Sequence, residues 1–201
     1  MIIKVKKGTY SYKTHIITIP DITITPGSII GLSGESGCGK TTIGKILTGQ
    51  LDYPKDKLYS PTLKRGKPNP IQWIGQQCEF AFNPLWTIER SLKEAFYQYS
   101  YYRLFDIFDL DICLQYRKPA ELSGGQLQRF NLMRALVPTT KFIICDETTD
   151  QLDTITQKNI WDSLLREVNQ RQIGVLVISH QTKLLEAVCD HIIMIPPIRS
   201  E

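Results

Sequence analysis

Residues 28–50, SIIGLSGESGCGKTTIGKILTGQ, decide how this chain folds. Ser28-Ile29-Ile30-Gly31-Leu32 is a short apolar run that reads as a buried strand, and residues 34–41 match G-x-x-x-x-G-K-[ST] without a mismatch. Ile43, Ile46 and Leu47 then recur at i, i+3 and i+4, so the loop opens directly into a helix with one apolar side. Gly34, Gly37 and Gly39 allow the backbone to curl with its N–H groups facing inward. Together with the helix N-terminus these groups form a nest for a β-phosphate, which makes Gly34, Glu35, Ser36, Gly37, Cys38 and Gly39 candidate nucleotide-binding positions. Lys40 brings a flexible point charge to the β/γ-phosphates, the Thr41 hydroxyl is a candidate Mg²⁺ ligand, and Thr42 is a spare hydroxyl for the α-phosphate.

A chain of 201 residues buries one good core and has room for an inserted subdomain, but not for two full domains. Its 42% hydrophobic and 22% charged residues are ordinary globular values. The net charge of +4 mildly favours anionic ligands, and without a Lys/Arg stripe interleaved with aromatics it does not suggest a nucleic-acid partner. Cys38, Cys78, Cys113, Cys145 and Cys189 form no C-x-x-C pair, so reduced cytosolic thiols fit better than a zinc or disulfide framework. MIIKVKKGTY at the start lacks the apolar core of a signal peptide, and no window approaches the roughly 18 apolar residues of a spanning helix. Association with a membrane is therefore expected through a partner.

Outward from the glycine loop, residues 2–6 and 16–24 show β-branched alternation and read as half-buried strands around a polar turn near Lys13-Thr14. Tyr10 and Tyr12 stand at a strand end, where a ring could stack on a purine. Residues 52–70 carry four prolines and a run of Lys/Arg and read as a solvated excursion. A strand is expected over 71–76, a helix from Thr87 to Phe105 with Thr87 as its N-cap, and a second short helix over 104–116. Phe142-Ile143-Ile144-Cys145 is a buried strand ending at Asp146-Glu147, and 174–178 is another, followed by His180. Near-continuous apolar strands alternating with helices indicate a largely parallel sheet covered on both faces. The adjacent acids at a strand end supply a metal carboxylate and a separate base, the two groups a phosphoryl transfer to water requires.

Leu122-Ser123-Gly124-Gly125-Gln126, read with the phosphate loop already placed, resembles the signature of the ATP-binding subunit of an ABC transporter, and the resemblance covers nearly the whole chain. It implies an α/β fold: a P-loop NTPase (RecA-like) core, 1–78 with 124–201, carrying an antiparallel β edge and a small helical insertion, 79–123. It also implies ATP and Mg²⁺ as cofactors. Gly34 to Thr41 then looks like the Walker A loop, Gln76 like the Q-loop glutamine sensing Mg²⁺ and γ-phosphate, and Asp146 like the Walker B carboxylate on Mg²⁺. Glu147 resembles the general base, His180 the switch histidine, and Tyr12 (or Tyr10) the adenine-stacking aromatic. Ser123, Gly124, Gly125 and Gln126 resemble the signature that closes on ATP held by the other ATPase subunit.

The loop after the acid pair departs from the family pattern. A proline and then Ser-Ala-Leu-Asp is usual there, whereas this chain has Thr148, Asp150 and Gln151 before the retained Asp153. Residues 76–87, QQCEFAFNPLWT, resemble the ATPases of dipeptide, oligopeptide and nickel importers. The resemblance implies an importer ATPase working beneath two permeases, with a related ATPase partner and an external solute-binding protein, at the cytoplasmic face of the membrane. An exporter ATPase or a non-transport soluble ABC ATPase is the alternative, although one domain with a short insertion supports neither a fused translation-type protein nor a coiled-coil repair type. The aromatic cluster Phe80, Phe82, Leu85 and Trp86 is expected to leave an apolar groove for a permease helix, anchored by Trp86.

Overall fold

Alternating β-branched residues open the chain as short antiparallel strands, β1 (Ile3–Val5), β2 (Gly8–Tyr12), β3 (His15–Ile19) and β4 (Ile22–Ile24). The computed structural model describes residues 1–12, 15–61 and 68–197, and only the backbone of Tyr12 and His15. The expected turn at Lys13-Thr14 and the basic residues Lys64, Arg65 and Lys67 lie outside the described residues. The chain continues as β5 (Ile29–Ser33), α1 (Lys40–Leu47), β6 (Leu58–Tyr59) and β7 (Ile71–Ile74). It then forms α2 (Ile88–Phe96), α3 (Arg103–Ile107), α4 (Gly124–Ala135) and β8 (Phe142–Asp146). Last come α5 (Thr154–Arg171), β9 (Gly174–Ile178), α6 (Thr182–Val188) and β10 (His191–Met194).

Five strands form a parallel sheet in the order β10-β5-β9-β8-β7. The antiparallel edge takes the form of a three-stranded sheet, β4-β1-β6, and a separate hairpin, β2-β3. Strand periodicity divides the parallel sheet into two apolar faces. Ile143, Cys145, Val175 and Val177 share one cluster with Leu127 and Phe130 of α4 and Trp161 and Leu164 of α5. Ile144, Leu176 and Ile178 share the other with Ile43, Ile46 and Leu47 of α1 and with Ile3 and Ile24 of the antiparallel layer. The sheet is thus covered on both faces, and no described helix is long and apolar enough to cross a membrane.

Several expected elements end earlier than their apolar spacing suggests. The run 16–24 splits at Pro20-Asp21 into β3 and β4, because proline has no N–H for a ladder, and the two pieces pair in different sheets. The strand expected over 71–76 stops at Ile74. The helix expected over 87–105 is capped as anticipated, with the Thr87 hydroxyl accepting from the Arg90 N–H at 3.4 Å, but it ends at Phe96. Tyr97 takes φ 52° and ψ −100°, outside the right-handed helical region, so the helix cannot continue through it. The second helix shrinks to α3, Asp109 at φ 48° breaks it off, and residues 112–116 follow as a 3₁₀ turn. Within the expected excursion over 52–70, the described residues 52–61 are less solvated than their composition implies, since they contribute β6 and bury Tyr53.

One ion pair ties α3 to α5. The Arg103 guanidinium donates to both Glu167 oxygens at 2.7 and 2.9 Å, and the carboxylate is completely buried while the arginine is more than half exposed. Removing the half-exposed Arg103 strands the buried Glu167 charge but opens the space above it to water, so Arg103→Ala should cost about 2 kcal/mol, below the range for a wholly buried pair. In urea unfolding the double variant R103A/E167M should recover part of that loss; if it is less stable than R103A alone, the stranded charge is not the cause.

Candidate nucleotide site

The register of the parallel sheet sets the site. Leu32 of β5 pairs with Ile178 of β9, which pairs in turn with Asp146 of β8, so β8 and β9 end on one row and β5 one residue beyond it. Residues 34–39, Glu147 and Ser179-His180 therefore leave the sheet side by side, at the carboxyl ends of its strands, where open α/β sheets bind ligands.

A cavity of about 400 Å³ lies at this edge, lined by Ser36, Gly37, Gly39, Lys40, Thr41, Thr42, Gln76, Asp146, Glu147 and Ile17. Gly37 and Gly39 have φ 81° and 101°, and the space a Gly39 Cβ would need is filled by the Ile17 side chain. Lys40, 6% exposed, bends back so that Nζ donates to the carbonyls of Gly34 and Glu35 at 2.8 and 2.9 Å. The ammonium is thus paired within its own loop, where phosphate oxygens could replace the two carbonyls. Cys38 turns its thiol into the apolar layer beneath, so only its backbone can serve a ligand. Glu35 and Cys38 line a smaller neighbouring cavity with Pro197.

The Thr41 hydroxyl donates to Asp146 Oδ2 at 2.9 Å, while Asp146 Oδ1 is buried without a partner among the described residues. Burial pushes the Asp146 carboxyl above its ordinary range and the Thr41 hydroxyl pulls it back. A buried carboxylate oxygen with no donor, beside a hydroxyl, is a donor set suited to a hard divalent cation. Glu147 adopts φ 49°, unusual for a residue with a side chain, and its N–H is held by the Ile178 carbonyl at 2.9 Å. That turn breaks the strand alternation and brings the carboxylate within 3.5 Å of His180 Nδ1. Asp150 Oδ2 lies closer to the same nitrogen, at 3.1 Å. Burial raises the Asp150 carboxyl as well, opposed by the Ser179 hydroxyl and His180.

Ser123, Gly124, Gly125 and Gln126 stand elsewhere, at the start of α4, and none lines the cavity of their own chain. Ser123 and Gln126 satisfy each other as a capping box at 3.3 and 3.0 Å, and Gly124 faces open space. Tyr10 packs near Tyr53 with ring centroids 6.4 Å apart, and the Tyr12 side chain lies outside the described residues. Gln76 is exposed and lines both this cavity and a second groove of about 450 Å³. Sequence reasoning missed Ile17, an ordinary strand isoleucine, and the contacts of Thr148. The Thr148 hydroxyl donates to the Ile74 carbonyl at 3.1 Å, a bond that the family's usual proline could not make.

A glycine loop on β5, an acid pair on β8 and a histidine after β9 define the class, a nucleoside triphosphatase of the P-loop kind. Residues 18–150 match the family described as ABC transporter. The nickel import system ATP-binding protein NikE of Staphylococcus aureus (strain N315) is 35% identical over 206 residues, covering 96% of this chain and 86% of that protein. Among solved structures, a dimeric bacterial ABC transporter cassette superposes with a TM-score of 0.74 at 23% identity, covering 98% of this chain and 97% of that one. An ATP-binding subunit of an ABC transporter gives a TM-score of 0.80 at 20% identity, covering 97% and 86%. The chain belongs to the ABC transporter family: it is an ATP-binding subunit whose hydrolysis of ATP is coupled to transport, alongside permease partners.

Gly39→Ala tests the loop geometry on its own. The left-handed backbone and the Ile17 side chain both oppose a Cβ, so the variant should lose about 2 kcal/mol and bind ATP more weakly. Melting and titration with a fluorescent ATP analogue would show this. Unchanged values in both would mean the loop is not held in the described conformation.

Proposed function

We propose that this chain drives import of a small solute, a peptide, nickel or a metal chelate, from the cytoplasmic face of the membrane. The observation that carries the reading is the likeness to the nickel import protein along nearly the entire chain. It acts beneath two permeases fed by an external solute-binding protein, and pairs with a related but distinct ATPase. On this reading residues 79–123 form the helical unit and residues 1–78 with 124–201 the nucleotide-binding core.

In hydrolysis, Lys40 exchanges its two loop carbonyls for β- and γ-phosphate oxygens, and the N–H groups of residues 34–39 hold the β-phosphate. Thr41 and Asp146 would hold Mg²⁺, with Gln76 at the rim, and the ion would supply positive charge against the phosphate oxygens. Glu147 accepts a proton from water as the water oxygen bonds to the γ-phosphorus; the bond from that phosphorus to the β–γ bridging oxygen breaks, ADP and phosphate leave, and His180 contacts the γ-phosphate. Ser123, Gly124, Gly125 and Gln126 close on ATP held by the paired ATPase, whose corresponding signature segment completes this chain's site from across the interface, in keeping with their position away from the cavity of their own chain.

Glu147→Gln keeps the side chain's shape but removes its basicity. ATP should bind and persist, and the pair of ATPases should be trapped as a stable complex in gel filtration, with turnover down by roughly 10²-fold or more. Hydrolysis at the wild-type rate would place the base on another residue.

The groove beside Gln76 is the surface proposed for the permease, with an altered anchor. Phe82 is core, and Trp86 is half-buried with the Arg90 guanidinium 4.1 Å above its ring, whereas Phe80 is 84% exposed and lines the groove with Lys45, Gln77 and Arg134. Phe80→Ala should leave melting and ATP affinity near wild type but reduce co-purification with the permeases about 10-fold. Full permease binding by the folded variant would remove Phe80 from the contact.

A further inference from the structure

Asp150 stands where the family usually has a small residue, yet its side chain is only 4% exposed. A buried carboxylate only accepts, so its neighbours must donate. The polarity of its surroundings is fixed by the backbone. The Gln181 N–H, which can only donate, gives its hydrogen to Ser179 Oγ at 3.0 Å. Ser179, itself fully buried, therefore turns its own hydrogen to Asp150, with oxygens at 3.2 and 3.3 Å. His180 Nδ1 also faces that carboxylate, at 3.1 Å. Glu147 Oε1 is 3.5 Å from the same nitrogen, beyond good hydrogen-bond range, and a single N–H cannot serve two carboxylates well.

We propose that Asp150 is a positioning residue for His180: its carboxylate keeps a proton on Nδ1, fixes the ring, and leaves Nε2 as the nitrogen presented to the nucleotide. Glu147 is thereby released from holding the histidine and keeps its carboxylate for water. The inference rests on the roles given to His180 and Glu147 under the proposed function. The logic is that of an acid orienting the imidazole in a hydrolytic triad, where exchanging the acid for its amide preserves shape and inverts the tautomer.

The first measurement needs no variant. In ¹⁵N NMR spectra of the full chain, above the pH at which imidazole ordinarily gains its second proton, His180 should carry its proton on Nδ1. In Asp150→Asn the amide oxygen accepts from Ser179 and the amide N–H₂ turns to the ring, so the proton should move to Nε2. Hydrolysis by the assembled transporter carrying D150N should fall about 10-fold or more, the usual effect of losing an orienting partner, with ATP affinity within about 2-fold. In a His180→Ala background D150N should have no further effect, because it acts through that ring. An Nε2–H or mixed tautomer in the wild type overturns the proposal, as does an equal loss from D150N with and without His180. Wild-type turnover in H180A would overturn the role of His180 itself and with it the catalytic half of this inference; the tautomer signal does not depend on that result.

Discussion

The pairing of Leu32, Ile178 and Asp146 in one row of the parallel sheet is the constraint on which the rest of the molecule depends. Hydrogen-bonded register settles where each strand ends, and burial on both faces settles the register. A slip of one residue would carry Ile143 and Cys145 to the α1 side and Ile144 to the α4 and α5 side, exchanging two fully packed layers. The same alternation aims the functional carboxylate. Asp146 follows Ile144 by two positions and so points to the face on which α1 lies, where Thr41 in the first turn meets it. The polar contact at the edge is set by apolar packing below it.

Edge position also explains how strong charges persist in a mostly buried place. A buried ammonium without partners would be costly, and Lys40 avoids this by folding onto two carbonyls of its own loop. Its partners are weaker than phosphate oxygens, so a nucleotide can displace them without leaving the cation unpaired at any stage. Asp146 is balanced differently: one oxygen is satisfied by Thr41 and the other is left bare. The site is thus self-satisfied at the Lys40 ammonium and, among the described residues, unsatisfied at Asp146 Oδ1.

The parts of the fold legible in the sequence were those carried by local pattern. The glycine loop between an apolar run and a 3.6-period helix, the strand ending at Asp146 and the cap at Ser123 each depend on residues close in the chain. Helix length after Thr87 is not legible in this way, because apolar spacing continues past Phe96 while the Tyr97 backbone leaves the helical region. Spacing records which residues want to be buried and not whether one backbone helix delivers them. Pro20 was visible, but its effect, sending the two halves of one alternating run to different sheets, depends on partners elsewhere in the chain. Ile17 against Gly39 and Asp150 against Ser179 are contacts between distant residues with no local signature. The aromatic cluster divided for a related reason: composition indicated a surplus of apolar surface, but only packing could assign Phe82 to the core and Phe80 to the groove.

The loop after the acid pair shows how departures from a family pattern can be offset. Thr148, in the usual proline position, spends its hydroxyl on the Ile74 carbonyl and so ties the loop to β7, whose next residues lead to Gln76. Thr149, 1% exposed, accepts at its hydroxyl from Trp161 Nε1 and Gln157 Nε2, both at 3.0 Å, which anchors the loop to α5 beneath. Asp150 reaches the opposite side, to Ser179 and His180 beyond β9. Three consecutive side chains therefore fasten one short segment to both neighbours of β8 and to the helix below. A loop held by a proline is stiff because its own backbone is restricted, whereas this one is stiff because its side chains are bonded on three sides. Ile74, two residues before Gln76, and His180 are thereby bonded to the same four-residue turn.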